Sequence, residues 1–90
     1  EHIAFCKMVG ANLRKMRVEK GLTQTEVGHP LGMRFQQIQK YETGTNCLSS
    51  WRLDQLANFF GVSPVDILDP NYIAKRCNKK DAQAIAELHL

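Results

Sequence analysis

Three side-chain amides and an ammonium, those of Gln36, Gln37, Gln39 and Lys40, fall within five residues and are interrupted only by the apolar Ile38. An amide carries an acceptor beside a donor, so it can pair with a purine edge. Its oxygen accepts from adenine N6 while its NH2 donates to N7, a pairing worth about 1–3 kcal/mol of discrimination. A cation beside it takes guanine or phosphate. If this segment coils with Ile38 inward, Gln36 and Lys40 each lie about 160° away and point out together, with Thr43 on the same stripe. Catalysis would need other sets: no Cys-His or Ser-His-Asp group, metal cluster or phosphate-cradling glycine loop stands out. The chain is read as no enzyme, without cofactor or metal.

The elements that must hold this stripe follow from periodicity and caps. Phe5, Val9, Leu13 and Met16 recur at helical spacing, with Lys7, Asn12, Arg14, Lys15 and Arg17 on the other faces, which predicts a helix over about 5–19 ended by Lys20-Gly21. Thr23-x-x-Glu26 is a capping box that opens a second helix at Thr23 or Gln24, presenting Val27 and Leu31 inward. Pro30 removes an amide and crowds the preceding turn, so this helix should be shortened or bent at its end. Gly32 stops it. A third helix over about 34–43 keeps Ile38 and Tyr41 on its inner face until Gly44 closes it. Two short helices joined by a tight glycine turn form a helix-turn-helix, whose second helix is the reader of DNA.

Ser49 or Ser50 caps a fourth helix bearing Leu53, Leu56, Ala57 and Phe60, ended by Gly61. Ser63-Pro64-Val65-Asp66 opens a brief fifth over about 64–68, and Asp69-Pro70-Asn71 reads as a turn. Beyond it lie Lys75, Arg76, Lys79 and Lys80. A sixth helix is allowed from Asp81, with Ala82, Ile85 and Leu88 on one face. The expected architecture is therefore all-α, a compact bundle of five or six helices. Its domain would span 1–70, with the helix-turn-helix at about 23–43, and 71–90 would form a basic extension, extra helix or linker.

At 90 residues with 43% hydrophobic and 23% charged residues, one soluble globular domain is the natural reading. No apolar run or leader-like start points to a membrane or to secretion. The net charge of +3 is modest for a nucleic-acid partner, although residues 1–48 hold seven Lys or Arg against four Asp or Glu. Pattern carries more than charge. Cys6, Cys47 and Cys77 are odd in number, widely spaced and without a C-x-x-C pair, so they read as unpaired, structural or incidental thiols in a reducing cytoplasm. His29 reads as an exposed neutral side chain.

Over about residues 9–69 the chain resembles the Cro and phage-repressor family of regulators, also called the XRE family. The residues that carry the likeness are Gly10-Ala11-Asn12-Leu13-Arg14, Gly21-Leu22-Thr23-Gln24, Leu31-Gly32, Ile38-Gln39-Lys40-Tyr41-Glu42-Thr43-Gly44, Leu56-Ala57 and Gly61-Val62-Ser63. The resemblance implies a lambda-repressor-like DNA-binding domain. It places Phe35, Gln36 and Lys40 outward on the reading helix, with Gln37 and Gln39 on its flanks. Phe35 would pack on a thymine methyl or close the edge of the core.

It also implies that Gln24 meets phosphate, the alternative being a solvated first-turn residue. Arg34, Thr43, Thr45, Asn46 and Ser50 would flank the DNA backbone, although loop polarity alone accounts for the last three. Arg17 and Glu42 would tie the first helix to the end of the third, and Gly32 would shape the turn. Departures from the family pattern are Arg34 in place of a Ser or Thr cap, Gly28 in place of Ala, and Cys47 where relatives often carry Lys or Arg.

The implied function is a sequence-specific, repressor-like transcriptional regulator. It would bind a palindromic operator in double-stranded DNA as a homodimer, in the cytoplasm. The alternative on the same fold is a protein-interaction module, such as a coactivator or an antitoxin-like partner.

Overall fold

The computed structural model describes residues 2–75, which are helical with tight connections and contain no strand. The order is α1 (His2–Glu19), α2 (Gln24–Gly28) with a 3-10 turn at His29–Leu31, α3 (Phe35–Glu42), α4 (Ser50–Phe60) and α5 (Pro64–Leu68). Helical backbone resumes at 72–75. The segment from Asp81, expected to offer a sixth helix, lies outside the described residues.

The caps act where the sequence puts them. The Thr23 hydroxyl accepts from the Glu26 amide at 3.1 Å while the Glu26 carboxylate accepts from the Thr23 amide at 2.9 Å. Ser63 and Asp66 repeat the device at α5, and of the two serines at the start of α4 it is Ser49 that caps, accepting from the Arg52 amide. Arg34 precedes α3 with no side-chain cap, the loss expected at that position.

Pro30 has its expected effect. The α-helical part of α2 ends at Gly28, and the chain tightens into the 3-10 turn before Gly32, at φ 69°, reverses it. A residue with a Cβ takes that backbone conformation only at a cost.

The core joins Val9, Leu13 and Met16 of α1 to Val27 of α2, Met33, Ile38 and Tyr41 around α3, Leu56, Ala57 and Phe60 of α4, and Ile67 of α5. α3 packs on both α1 and α2, so its inner face is held from two sides and its outer face is left to solvent. α2 and α3 approach closely at Gly28, where a Cβ would stand 2.5 Å from the Met33 carbonyl oxygen. The turn at Met33 therefore leaves no room for a Cβ at Gly28.

Three expectations for α1 and its neighbours are corrected. α1 begins at His2, a turn earlier than its apolar spacing suggested, and its inward residue there is Cys6, 3% exposed, while Phe5 is 49% exposed. Asn12, assigned to the solvated face, is 1% exposed. Its amide donates to the carbonyls of Ile67 and Asp69, both at 2.8 Å, and so seals the end of α5 against α1. The third correction concerns the thiols: Cys6 and Cys47 are not unpaired but disulfide-bonded, with Cα atoms 5.2 Å apart. The added first turn of α1 lies alongside the α3–α4 loop, which a separation of 41 residues concealed.

Candidate nucleic-acid interface

The outer face of α3 is built by elimination. Ile38, Tyr41 and Glu42 are drawn inward, which leaves Gln36, Gln39 and Lys40 exposed. Phe35 is 45% exposed at the rim, so its ring is half available to a ligand and half committed to the bundle. Gln37 is half-buried and its amide donates to the Tyr41 hydroxyl at 3.0 Å, which ties it to the helix it flanks. Gly32, Arg34, Gln36, Gln37, Lys40 and Asn46 line one shallow, open depression. Of the residues expected at the base edges, Gln36, Gln37 and Lys40 thus share one surface with Arg34 and Asn46, which were expected at the backbone.

The loop after α3 is ordered by its own hydrogen bonds. The Thr43 hydroxyl donates to the carbonyls of Gln39 and Lys40 and lies 2.8 Å from that of Thr45. The Asn46 amide donates to the Lys40 carbonyl at 3.2 Å. Thr45, Asn46 and Ser50 are all exposed beside this end of α3.

One ionic contact fixes the angle of α3. Arg17 meets Glu42 through Nε at 2.6 Å and Nη2 at 3.0 Å, and its Nη1 donates to the Leu22 carbonyl at 2.8 Å. The hydrogen bonds that Arg17 donates to Glu42 outweigh partial burial and raise the Arg17 pKa further above its ordinary value. The pairing expected from the family pattern is therefore present in bidentate form, the geometry in which an Arg–carboxylate pair is most directional. Gln24 joins it, donating to Glu42 Oε1 at 3.1 Å. Gln24 was expected to face phosphate; its amide also helps anchor α3, a role that spacing did not reveal.

Residues 13–67 match the helix-turn-helix family model. The chain belongs to the helix-turn-helix family. An uncharacterised HTH-type transcriptional regulator of Sinorhizobium medicae is 43% identical over 54 residues, which are 60% of this chain and 39% of that protein. The antitoxin PezA of Streptococcus pneumoniae is 34% identical over 61 residues, 68% of this chain and 39% of the relative. The match thus spans about two-fifths of the length of these two relatives. Among solved structures, the DNA-binding domain of BldD from S. venezulae superposes with a TM-score of 0.66 at 30% identity, covering 72% of this chain and 97% of that domain.

Two contacts away from this face were not legible in the sequence. Asn12 was invisible because a polar residue on a helix is ordinarily solvated, and its carbonyl partners lie 55 and 57 residues away. Cys47 stood out only as a departure from the family's Lys or Arg. No helix among the described residues is long and apolar enough to cross a membrane.

Proposed function

We propose that this chain is the DNA-reading domain of a sequence-specific, repressor-like transcriptional regulator. The observation that carries the reading is the exposed Gln36–Gln39–Lys40 surface of α3, on a helix whose opposite face is anchored to α1 and α2. A helix held in this way projects its free side into a major groove, where amides pair with adenine and a cation takes guanine or phosphate. In this reading Phe35, Gln36, Gln37, Gln39 and Lys40 meet bases. Gln24, Arg34, Thr43, Thr45, Asn46 and Ser50 position the sugar-phosphate backbone, with the second N–H of Gln24 available to phosphate while the first holds Glu42. The names of the relatives favour the same role, and such a role calls for neither catalysis nor a cofactor.

We further place the protein in the cytoplasm as a homodimer on a palindromic operator, with 1–70 as the reading domain and 71–90 as its basic extension. Net +3 and the missing cation at Cys47 predict modest, salt-sensitive affinity per copy, which pairing would raise. Exposed Trp51 on α4 and Val65 on α5 support a pairing surface there. Selection of bound sites from random duplexes with the purified chain tests the sequence-specific reading and the palindrome. A palindrome whose half-sites centre about ten base pairs apart is expected, and failure to enrich any sequence would end the proposal. The antitoxin relative favours one competing reading, a protein-binding module on the same fold. That reading predicts partner binding indifferent to salt, whereas operator affinity should fall linearly with log[salt].

A further inference from the structure

Cys6, Cys47 and His2 meet beside the loop that follows α3. Cys47 is exposed and His2 Nε2 lies 3.7 Å from its sulfur, whereas Cys6, its bonded partner, is 3% exposed. A thiol reacts with oxidants through its thiolate, the neighbouring imidazole nitrogen is placed to accept the proton, and a second thiol within bonding reach resolves the product. Phe5, Val9, Tyr41 and Leu48 line an open pocket beside the two sulfurs, in which Cys6 itself stays almost covered. These roles, one open and activated and the other covered and waiting, belong to a sensor more than to a structural staple.

The bond also reaches the candidate interface. Cys47 follows Thr45 and Asn46, and Gly44, at φ 76°, sits so close to α1 that a Cβ there would stand 2.7 Å from Lys7 Cα. The loop is therefore laid on the N-terminal half of α1, and the disulfide fastens its far end. We propose that Cys47 and Cys6 form a peroxide-responsive thiol pair whose oxidation locks the loop carrying Thr45 and Asn46 and so strengthens the grip on DNA. The Cys47 thiolate attacks one oxygen of hydrogen peroxide, the O–O bond breaks, and the leaving hydroxide takes a proton to become water. The resulting sulfenic acid then condenses with the Cys6 thiol, forming the S–S bond and releasing a second water. Two electrons pass from the two sulfurs to the peroxide. A thiol reductant reverses the bond by entering at the exposed Cys47 sulfur.

The effect on DNA rests on the function proposed above, while the thiol chemistry does not. The test uses the whole chain carrying Cys77→Ser, so that only the pair reacts. Hydrogen peroxide should consume both thiols together with loss of two hydrogens in mass, and His2→Gln should slow that reaction. In Cys6→Ser, or Cys6→Ala if the serine impairs folding, a dimedone adduct should form at Cys47. Cys47→Ser should give none at Cys6. Amide exchange at Asn46, whose N–H holds the Lys40 carbonyl, should slow on oxidation, and the oxidised chain should bind the selected operator on the order of threefold to tenfold more tightly. Thiols that stay free in peroxide, an adduct at Cys6 in place of Cys47, tight retention of zinc by the pair, or identical Asn46 exchange in both states would overturn the proposal. Equal operator affinity of the two forms would overturn its DNA half alone, and no operator binding in either form would overturn the function on which that half rests.

Discussion

Arg17 Nε and Glu42 Oε2 meet at 2.6 Å across the crossing of α1 and α3, with side-chain exposures of 14% and 4%. Glu42 is buried next to the inward Ile38, so the pair ties α3 to α1 from beneath the exposed face. Removing the carboxylate leaves a largely enclosed guanidinium with only the Leu22 carbonyl for company. Glu42→Ala should therefore cost about 2 kcal/mol, somewhat below a fully buried pair because Arg17 keeps some water. Its thermal midpoint should fall on the order of 10 °C. A double-mutant cycle with Arg17→Ala measures the coupling; variants that both melt with the parent would remove the pair from any account of the fold.

Substitutions on the outer face of α3 should separate from those on its loop. Gln36→Ala is expected to weaken binding to the selected operator by about 1–3 kcal/mol and to relax the preference at one base position. Asn46→Ala should weaken all duplexes alike, with no change in sequence preference. Binding isotherms on the operator and on single-base variants decide the point. A uniform loss for Gln36→Ala would demote it to a phosphate contact.

Gly28 offers a test of the crossing between α2 and α3. Alanine ordinarily favours a helix over glycine by roughly 0.5–1 kcal/mol, so a surface position would gain from the change. Here the added methyl would stand 2.5 Å from the Met33 carbonyl and 3.3 Å from Ile38 Cγ1. The carbonyl is backbone and accepts no displacement without moving the turn. Gly28→Ala should destabilise by about 1–3 kcal/mol, read by urea unfolding, and stabilisation would show that the two helices can slide apart.

What could be read in advance divides along physical lines. Caps and stops are local, so Thr23 with Glu26, Ser63 with Asp66, and the turn at Gly32 were legible from neighbours in the chain. The facing of Gln36 and Lys40 followed from helical periodicity about Ile38. Asn12 was not legible, because what makes a buried amide tolerable is a pair of carbonyls brought from the far end of α5. Nor was the Cys6–Cys47 bond, since spacing says nothing about which loop covers which helix end. Phe5 misled for the same reason: its spacing fits the apolar stripe, but the core ends at Cys6.

The Asn12 amide makes a prediction of its own. Asn12→Ala leaves the Ile67 and Asp69 carbonyls without their donor and opens a small void, so a loss of about 2 kcal/mol is expected. Asn12→Leu should fare no better despite its greater apolar bulk, because the carbonyls stay unpaired. Chemical denaturation compares the two, and a leucine variant as stable as the parent would mean that water satisfies those oxygens.

Acid should unfold the protein through two carboxylates at element ends. The Thr23 backbone amide, and next the Thr23 side chain, hold the Glu26 carboxyl below its ordinary value, and Lys75 followed by the Asn71 amide does the same for Asp69. In both cases the unfolded chain takes up protons at a higher pH than the folded one. The stability they contribute is therefore complete above the ordinary carboxylate range and drains away as the pH falls through the lower, folded values. Both groups are exposed, so salt screens the Lys75–Asp69 contact more than the amide contacts of Glu26. Glu26→Gln and Asp69→Asn should each flatten the acid limb of a stability-against-pH curve; the first should leave the alkaline part parallel to the parent, whereas the second should flatten the alkaline limb too, because Asp69 also holds Lys75 above its ordinary value. Added salt should reproduce part of the Asp69→Asn effect and little of the Glu26→Gln effect. Acid limbs of unchanged slope in both variants would assign the acid sensitivity to other carboxylates.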